Sequence, residues 1–294
     1  MFDSILRGTA LNGEVRIFAA ITTEMVQNAS EIHKTSPLAT VALGRTLTAV
    51  ALMSKDLKGN KDTICIQIKG DGPLGGVVVV SDSSANTRGY VHKSQVDLPL
   101  NERGKFDVSG GLGFGYLNVI KDLGLKEPYI GNVELLSGEI AEDLAFYYAF
   151  SEQTHSIVAL GVLIAPDGKV ESAGGYIIQL LPDASEETTA FLEERVREVK
   201  PVTNLISEGF TLEQIVEHVF EGKEVKILDK SPCAYKCNCS RERMERNLIS
   251  IGKKELLDMA EDQGDAELQC HFCNAFYNFS KEEIINLANN AFGT

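Results

Sequence analysis

The sequence predicts an α+β protein whose final residues form a separate, metal-held module. Three features carry that expectation. Over the first 181 residues, short alternating runs of the kind that make half-buried strands are interleaved with a few helical segments. From 183 to 222 the strand signal stops and helical periodicity takes over. Beyond residue 230 stand two tight cysteine pairs, Cys237-Asn238-Cys239 and Cys270-His271-Phe272-Cys273, with thirty residues between them. The expected organisation is an N-terminal domain of antiparallel sheet with packed helices over 1–181, a helical linker over 182–229 and a small zinc-binding module over 230–294.

Residues 14–20 alternate like a strand, and a helix follows over Thr23–His33. Ser36-Pro37 reads as an N-cap with proline at the first helical position, opening a long helix to about Lys55. Leu38, Val41, Ala42, Leu47, Val50, Ala51 and Met53 make that helix apolar over much of its circumference, so it belongs in the core, and Gly44 suggests close packing. Residues 62–69 place Ile64, Ile66 and Ile68 on one strand face and Cys65 on the other. Gly70-Asp71-Gly72-Pro73 then turns the chain into strands at 76–80 and 88–92, an antiparallel meander. Further strands are expected at 131–138, 156–165 and 169–181, with a helix at 140–150.

The segment 183–222 holds ten acidic and three basic residues. Leu192, Val196 and Val199 would share a helical face, and Thr211-x-x-Gln214 is a capping box ahead of Ile215, Val216 and Val219. Short helices with so much like charge are marginal unless docked on something, so the segment is either a solvated connector or a metastable linker that lets go. After the first cysteine pair, Ser240 caps a helix carrying Met244, Leu248 and Ile251; a second helix runs through Leu256, Leu257 and Ala260; Ser280-x-x-Glu283 boxes a terminal one with Ile284, Ile285, Leu287 and Ala288. So few large apolar groups need a staple.

A net charge of −14 disfavours general nucleic-acid binding. The opening MFDSILRGTALNG lacks a positive n-region and a long apolar stretch, and no uninterrupted apolar run reaches the roughly 20 residues of a membrane span. A cytoplasmic protein with reduced thiols and no membrane partner is expected. Gly110-Gly111-Leu112-Gly113-Phe114-Gly115 lacks the lysine and hydroxyl ending of a phosphate loop and reads as a flexible loop. No nucleophile elbow, His-Glu-x-x-His or kinase signature appears, and no enzyme is expected.

Four thiols in two pairs supply the donors of a tetrahedral Zn²⁺ site, making Cys237, Cys239, Cys270 and Cys273 the metal ligands and Zn²⁺ the cofactor. Ordinary buried thiols and disulfides are the plain alternatives. Only Asn238 separates the first pair. Residues i and i+2 of an extended chain lie about 6–7 Å apart at Cα, at or past the comfortable limit for a disulfide. Such a bond would be strained and relatively oxidising, which suits a site that changes state. Cys233, four residues before Cys237, stays open as a rival ligand partner or as a trap for a mixed disulfide, and Cys65 reads as a buried strand thiol.

At these residues the chain resembles the redox-regulated holdase chaperones, the thirty-three-kilodalton heat-shock protein family. The most specific part is Tyr235-Lys236-Cys237-Asn238-Cys239-Ser240-Arg241-Glu242-Arg243 with Cys270-x-x-Cys273, followed by Tyr277 and Phe279. Leu43-Gly44-Arg45-Thr46-Leu47, Gly70-Asp71-Gly72-Pro73-Leu74, Arg88-Gly89-Tyr90-Val91 and the run Gly174 to Pro182 support it. The resemblance implies a zinc-bound, reduced, inactive form that oxidation converts into an ATP-independent chaperone through a redox switch in 230–294. It implies disulfides Cys237–Cys239 and Cys270–Cys273 in the oxidised protein, with unfolded or oxidatively damaged clients as partners and a homodimer of the oxidised form left open. Spacing orders them: the Cys270–Cys273 bond forms with little adjustment and closes first. Two other functions compete, a thiol–disulfide oxidoreductase using Cys270 and Cys273 and a zinc-ribbon nucleic-acid binder using the basic residues Lys236, Arg241, Arg243, Arg246, Lys253 and Lys254.

Overall fold

Sixteen of the eighteen residues of the helix Pro37–Ser54 are buried, and the larger part of the molecule is built around it. The structure, a computed structural model, describes residues 2–293. In chain order the elements are β1 (Ser4–Ala10), β2 (Val15–Ile21), α1 (Thr23–His33), α2 (Pro37–Ser54), β3 (Thr63–Gly70), β4 (Val77–Asp82), β5 (Asn86–Val91), α3 (Val108–Leu112), β6 (Gly115–Asp122), β7 (Tyr129–Glu134), α4 (Ala141–Phe150), β8 (Ser156–Ile164) and β9 (Val170–Leu180). There follow α5 (Glu186–Glu198), α6 (Val202–Ser207), α7 (Leu212–Val219), β10 (Val225–Pro232), β11 (Ala234–Tyr235), α8 (Arg241–Ile249), α9 (Lys253–Asp262), β12 (Ala266–Gln269), β13 (Phe276–Phe279) and α10 (Lys281–Phe292). The chain forms two compact units, Met1–Lys236 and Cys237–Thr294.

In the first unit one sheet has strand order β10-β1-β2-β9-β8 and the other β11-β5-β4-β3-β6-β7. All pairs are antiparallel except β11 with β5. This is the expected α+β class. Helix α2 lies between the sheets, touching β3, β4 and β5 of one and β2, β8 and β9 of the other. Ile64, Ile66, Ile68, Val77 and Val79 are sealed in the core with it. Ser36 caps α2 through the amide of Ala39, and Pro37 fixes its first turn. A Cβ on Gly44 would lie 2.6 Å from Val26 and 2.8 Å from Val162, so glycine is what lets α2 approach α1 and β8. The buried hydroxyls of Thr46 and Thr48 donate to the carbonyls of Ala42 and Gly44, so both are paired.

The outer face of the five-stranded sheet is covered by α5, α6 and α7. Leu6, Ile17, Ala19, Tyr176 and Ile178 meet Leu192, Leu205, Ile215, Val219 and Phe220 in a second apolar cluster. Thr211 and Gln214 form the expected capping box at α7. On α5 the expected face is only partly used: Leu192 is buried, but Val196 is 45% exposed. The helix instead buries Arg195, whose guanidinium donates to the carbonyls of His218 at 3.0 Å and Val219 at 3.4 Å and pairs with Glu198 at 2.8 Å. A cation on the last carbonyls of α7 is favourable and ties the two helices together. At the other end of α5, Glu14 accepts both the amide and the hydroxyl of Ser185 at 2.8 Å. The boundary expected at residue 230 falls inside β10, which pairs with β1.

Two further expectations are corrected. Residues 110–115 are not a flexible loop but the end of α3 and the start of β6. A Cβ on Gly115 would overlap the Lys69 carbonyl and one on Gly70 the Leu112 carbonyl, so these glycines serve close approach of two chain segments. Strand β7 stops at Glu134 because the following amides of Leu136 and Ser137 turn onto the buried Asp143 carboxylate, at 2.7 and 2.9 Å.

The second unit packs α8, α9 and α10 with the β12–β13 hairpin around Met244, Leu248, Leu256, Ala260, Cys270, Phe279, Ile284 and Ala288. Helix α8 ends at Ile249, and Ile251, expected in its core, is 47% exposed.

Candidate metal centre

Each cysteine pair sits in a loop whose backbone is fixed at both ends. Cys237 and Cys239 follow β11 and precede α8, whose first turn is closed by Ser240 accepting the amide of Arg243. Arg243 also donates to the side chain of Asn238 at 2.9 Å, fixing the single residue between the thiols. Cys270 and Cys273 occupy the tip of the β12–β13 hairpin. The amide of Cys270 donates to Ala275 at 2.9 Å, and the amides of Cys273 and Asn274 donate back to Cys270 at 3.3 and 2.8 Å. Asn274 takes a left-handed conformation, φ 57°, which asparagine tolerates.

These loops bring Cys237, Cys239, Cys270 and Cys273 together, all four sulfurs lying within 4.8 Å of one another. Between the loops, Cys237 lies 3.7 Å from Cys270 and Cys239 lies 3.3 Å from Cys273. A tetrahedron with metal–sulfur bonds of about 2.3 Å has edges of about 3.8 Å. The cluster therefore fits a four-thiolate ion in both donor chemistry and size. Cys270 is the most buried of the four, at 6% exposure, and the others are half-buried.

The sulfurs differ in their surroundings. Burial pushes Cys237 up to about 11 and raises Cys273, against a main-chain amide that favours the thiolate in each case, from Cys239 and from Ala275. Burial would raise Cys239 too, but the Tyr277 hydroxyl, donating to its sulfur at 3.1 Å, and the neighbouring thiols outweigh it and hold Cys239 low. Arg241 stacks on the Phe279 ring at 4.4 Å and bonds the Asn278 carbonyl and the Glu283 carboxylate, joining α8, the hairpin and α10. Neither role was legible in the sequence: Tyr277 stood only as an aromatic residue after the last thiol, and Arg241 only as part of a basic cluster. With Glu283 and Glu245 on its guanidinium, Arg241 is largely neutralised.

Cys233 is not in the cluster. It is 6% exposed among core residues of the first unit, with its thiol 3.7 Å from the Ile21 carbonyl, and burial raises its pKa. Cys65 is half-buried on β3 rather than fully buried, and burial pushes it up to about 11. Both are poor thiolates. Accordingly, Cys233→Ser should leave metal stoichiometry unchanged, as measured by elemental analysis of reduced protein; loss of the ion from that variant would refute the ligand set.

The described geometry matches what comparison finds. The family model described as "Hsp33 protein" matches residues 3–280. The 33 kDa chaperonin of Ruminiclostridium cellulolyticum is 61% identical over 287 residues, 98% of each chain. That of Acetivibrio thermocellus is 55% identical over 98% of this chain and 97% of its own. The crystal structure of the 33 kDa chaperonin from Thermotoga maritima superposes with a TM-score of 0.90 at 40% identity, covering 99% of both chains. With two sheets around a buried helix, a four-thiol cluster and a match along almost its whole length, the chain belongs to the Hsp33 protein family.

Proposed function

We propose that this chain is a cytosolic, ATP-independent holdase switched on by oxidation, holding one Zn²⁺ through Cys237, Cys239, Cys270 and Cys273 in its reduced, inactive form. The four converging thiols carry this reading, because they are themselves part of the small core of their unit. Bound zinc would supply a structural cross-link worth on the order of 10 kcal/mol and would keep the thiols ionised. Oxidation to Cys270–Cys273, and then Cys237–Cys239, removes the donors of that cross-link. The unit Cys237–Thr294, with eight buried apolar residues, is too small to stay folded on its core alone.

Unfolding then passes back along the chain through β11 and undocks α5, α6 and α7, while β10 stays paired with β1. The face those helices vacate is apolar: Leu6, Ile17, Ala19, Tyr176 and Ile178. A bared surface of that kind binds the exposed apolar segments of unfolding proteins. The chain's role is binding rather than catalysis, and no nucleotide is needed.

The test measures zinc content and suppression of client aggregation on one sample, before and after peroxide treatment. Zinc-loaded reduced protein should be inactive, and oxidised protein should lose its zinc and suppress aggregation at near-stoichiometric ratios. Equal suppression in both states, or oxidation that leaves zinc bound, would sink the proposal.

A further inference from the structure

Each of three sulfurs in the cluster receives one hydrogen bond from a protein group other than a thiol. For Cys237 and Cys273 the donor is a main-chain amide, from Cys239 and Ala275, which truncating a side chain leaves in place. For Cys239 it is a side chain, the Tyr277 hydroxyl at 3.1 Å. The same sulfur lies 3.3 Å from Cys273, closer than the 3.7 Å between Cys237 and Cys270. Of these two cross-loop pairs, Cys239–Cys273 is therefore on distance the readier to form a bond. It would lock the two loops together instead of releasing them.

We infer that Tyr277 is a specificity-determining residue of the redox switch: its hydrogen bond withholds Cys239 from early reaction, so that Cys273 pairs with Cys270 and the cross-loop disulfide is suppressed. This rests on the four thiols acting as a metal-bound redox centre. With peroxide as oxidant, a thiolate sulfur attacks one peroxide oxygen; the S–O bond forms, the O–O bond breaks and hydroxide leaves. A second thiolate then attacks that sulfur; the S–S bond forms, the S–O bond breaks and a second hydroxide leaves. Two thiolates lose two electrons in all and one peroxide gains them. Both attacks need an available sulfur lone pair. A donor held on the sulfur draws density away from it and slows either step, as outer-shell donors to metal-bound ligands do. Tyr277 reaches Cys239 because β13 carries it back past the hairpin tip, where Leu268 pairs with Tyr277.

The experiment treats full-length, zinc-loaded protein with limiting peroxide, quenches by alkylation and quantifies cross-linked peptides by mass spectrometry. In Tyr277→Phe the share of Cys239–Cys273 bonds should rise about tenfold, the worth of one hydrogen bond to a charged acceptor. The Cys237–Cys270 bond is the internal reference, since its sulfurs are not the ones Tyr277 touches. A general loosening of the unit would raise both cross-loop bonds together, and that result, or no rise at all, overturns the inference. If the variant loses zinc during purification, apo protein refilled with excess Co²⁺ is read instead. There the sulfur-to-cobalt charge-transfer band should move to longer wavelength than in the parent, and an unmoved band overturns the inference. Pairing is read by mass alone, so a failed aggregation assay would count against the holdase and leave this result standing.

Discussion

Cys270→Ser should empty the metal centre and unfold the second unit while leaving the two sheets of the first intact. Among the four thiols Cys270 is the most buried, and its backbone closes the hairpin tip that also carries Cys273. Serine offers a hard, protonated oxygen where a soft thiolate is required, so one donor is lost and the geometry of its neighbour loosens. Because the folding of such a unit and its metal binding are one equilibrium, an affinity loss of 10²-fold or more becomes a folding defect. Chelator competition should show the loss, and limited proteolysis should cut within residues 237–293 and within the undocked helices of 186–219, while the two sheets of the first unit resist. A variant that keeps stoichiometric zinc and a protease-resistant second unit would show that three thiolates suffice and that Cys270 is only a core residue.

Phe220→Ala should free α5, α6 and α7 from the sheet without touching the thiols. Phe220 is fully buried in the cluster that joins these helices to β1 and β2. Truncating a buried phenylalanine costs about 3–5 kcal/mol. Phe220 lies in the apolar contact between these helices and the sheet, so most of that cost falls on their docking. Since about 1.4 kcal/mol is a factor of ten, amide exchange in α5–α7 should accelerate at least about 10²-fold. Exchange in β3, β4 and β6, which belong to the other sheet, should barely move. The variant should also suppress aggregation while still reduced and zinc-loaded. Unchanged exchange in α5–α7 would mean that the helices are held chiefly by Glu14 at one end and Arg195 at the other.

What could be read in advance was what local chemistry dictates. Ser36-Pro37, the Thr211 and Ser280 boxes and the alternation of Ile64, Ile66 and Ile68 each signal through residues a few positions apart, and the structure has them all. The four thiols were legible for the same reason. What escaped depends on distant partners. The glycines at 110–115 look like flexibility until Lys69 is seen to crowd Gly115 and Leu74 to crowd Gly111. Strand β10 has exposed Ile227 and Leu228 and earns its conformation only by pairing with β1, more than two hundred residues earlier. Arg195 is, in the sequence, only one of three basic residues in an acidic segment; its burial depends on where α7 ends. Tyr277 could have been any aromatic residue until the hairpin set its hydroxyl on Cys239.

The strands on either side of α5–α7 belong to one sheet: β9 ends at Leu180, β10 begins at Val225, and both are anchored through β1 and β2. The helices are thus a loop tied down at both ends. When they undock they cannot drift away, because the closed loop keeps them at high effective concentration over the face they left. Re-docking is an encounter within one small volume, fast and independent of how dilute the protein is. A bound client therefore competes with a tethered rival that never leaves. On the proposed redox switch, reducing conditions would need only to restore the second unit for that competition to turn, making client release a property of chain connectivity.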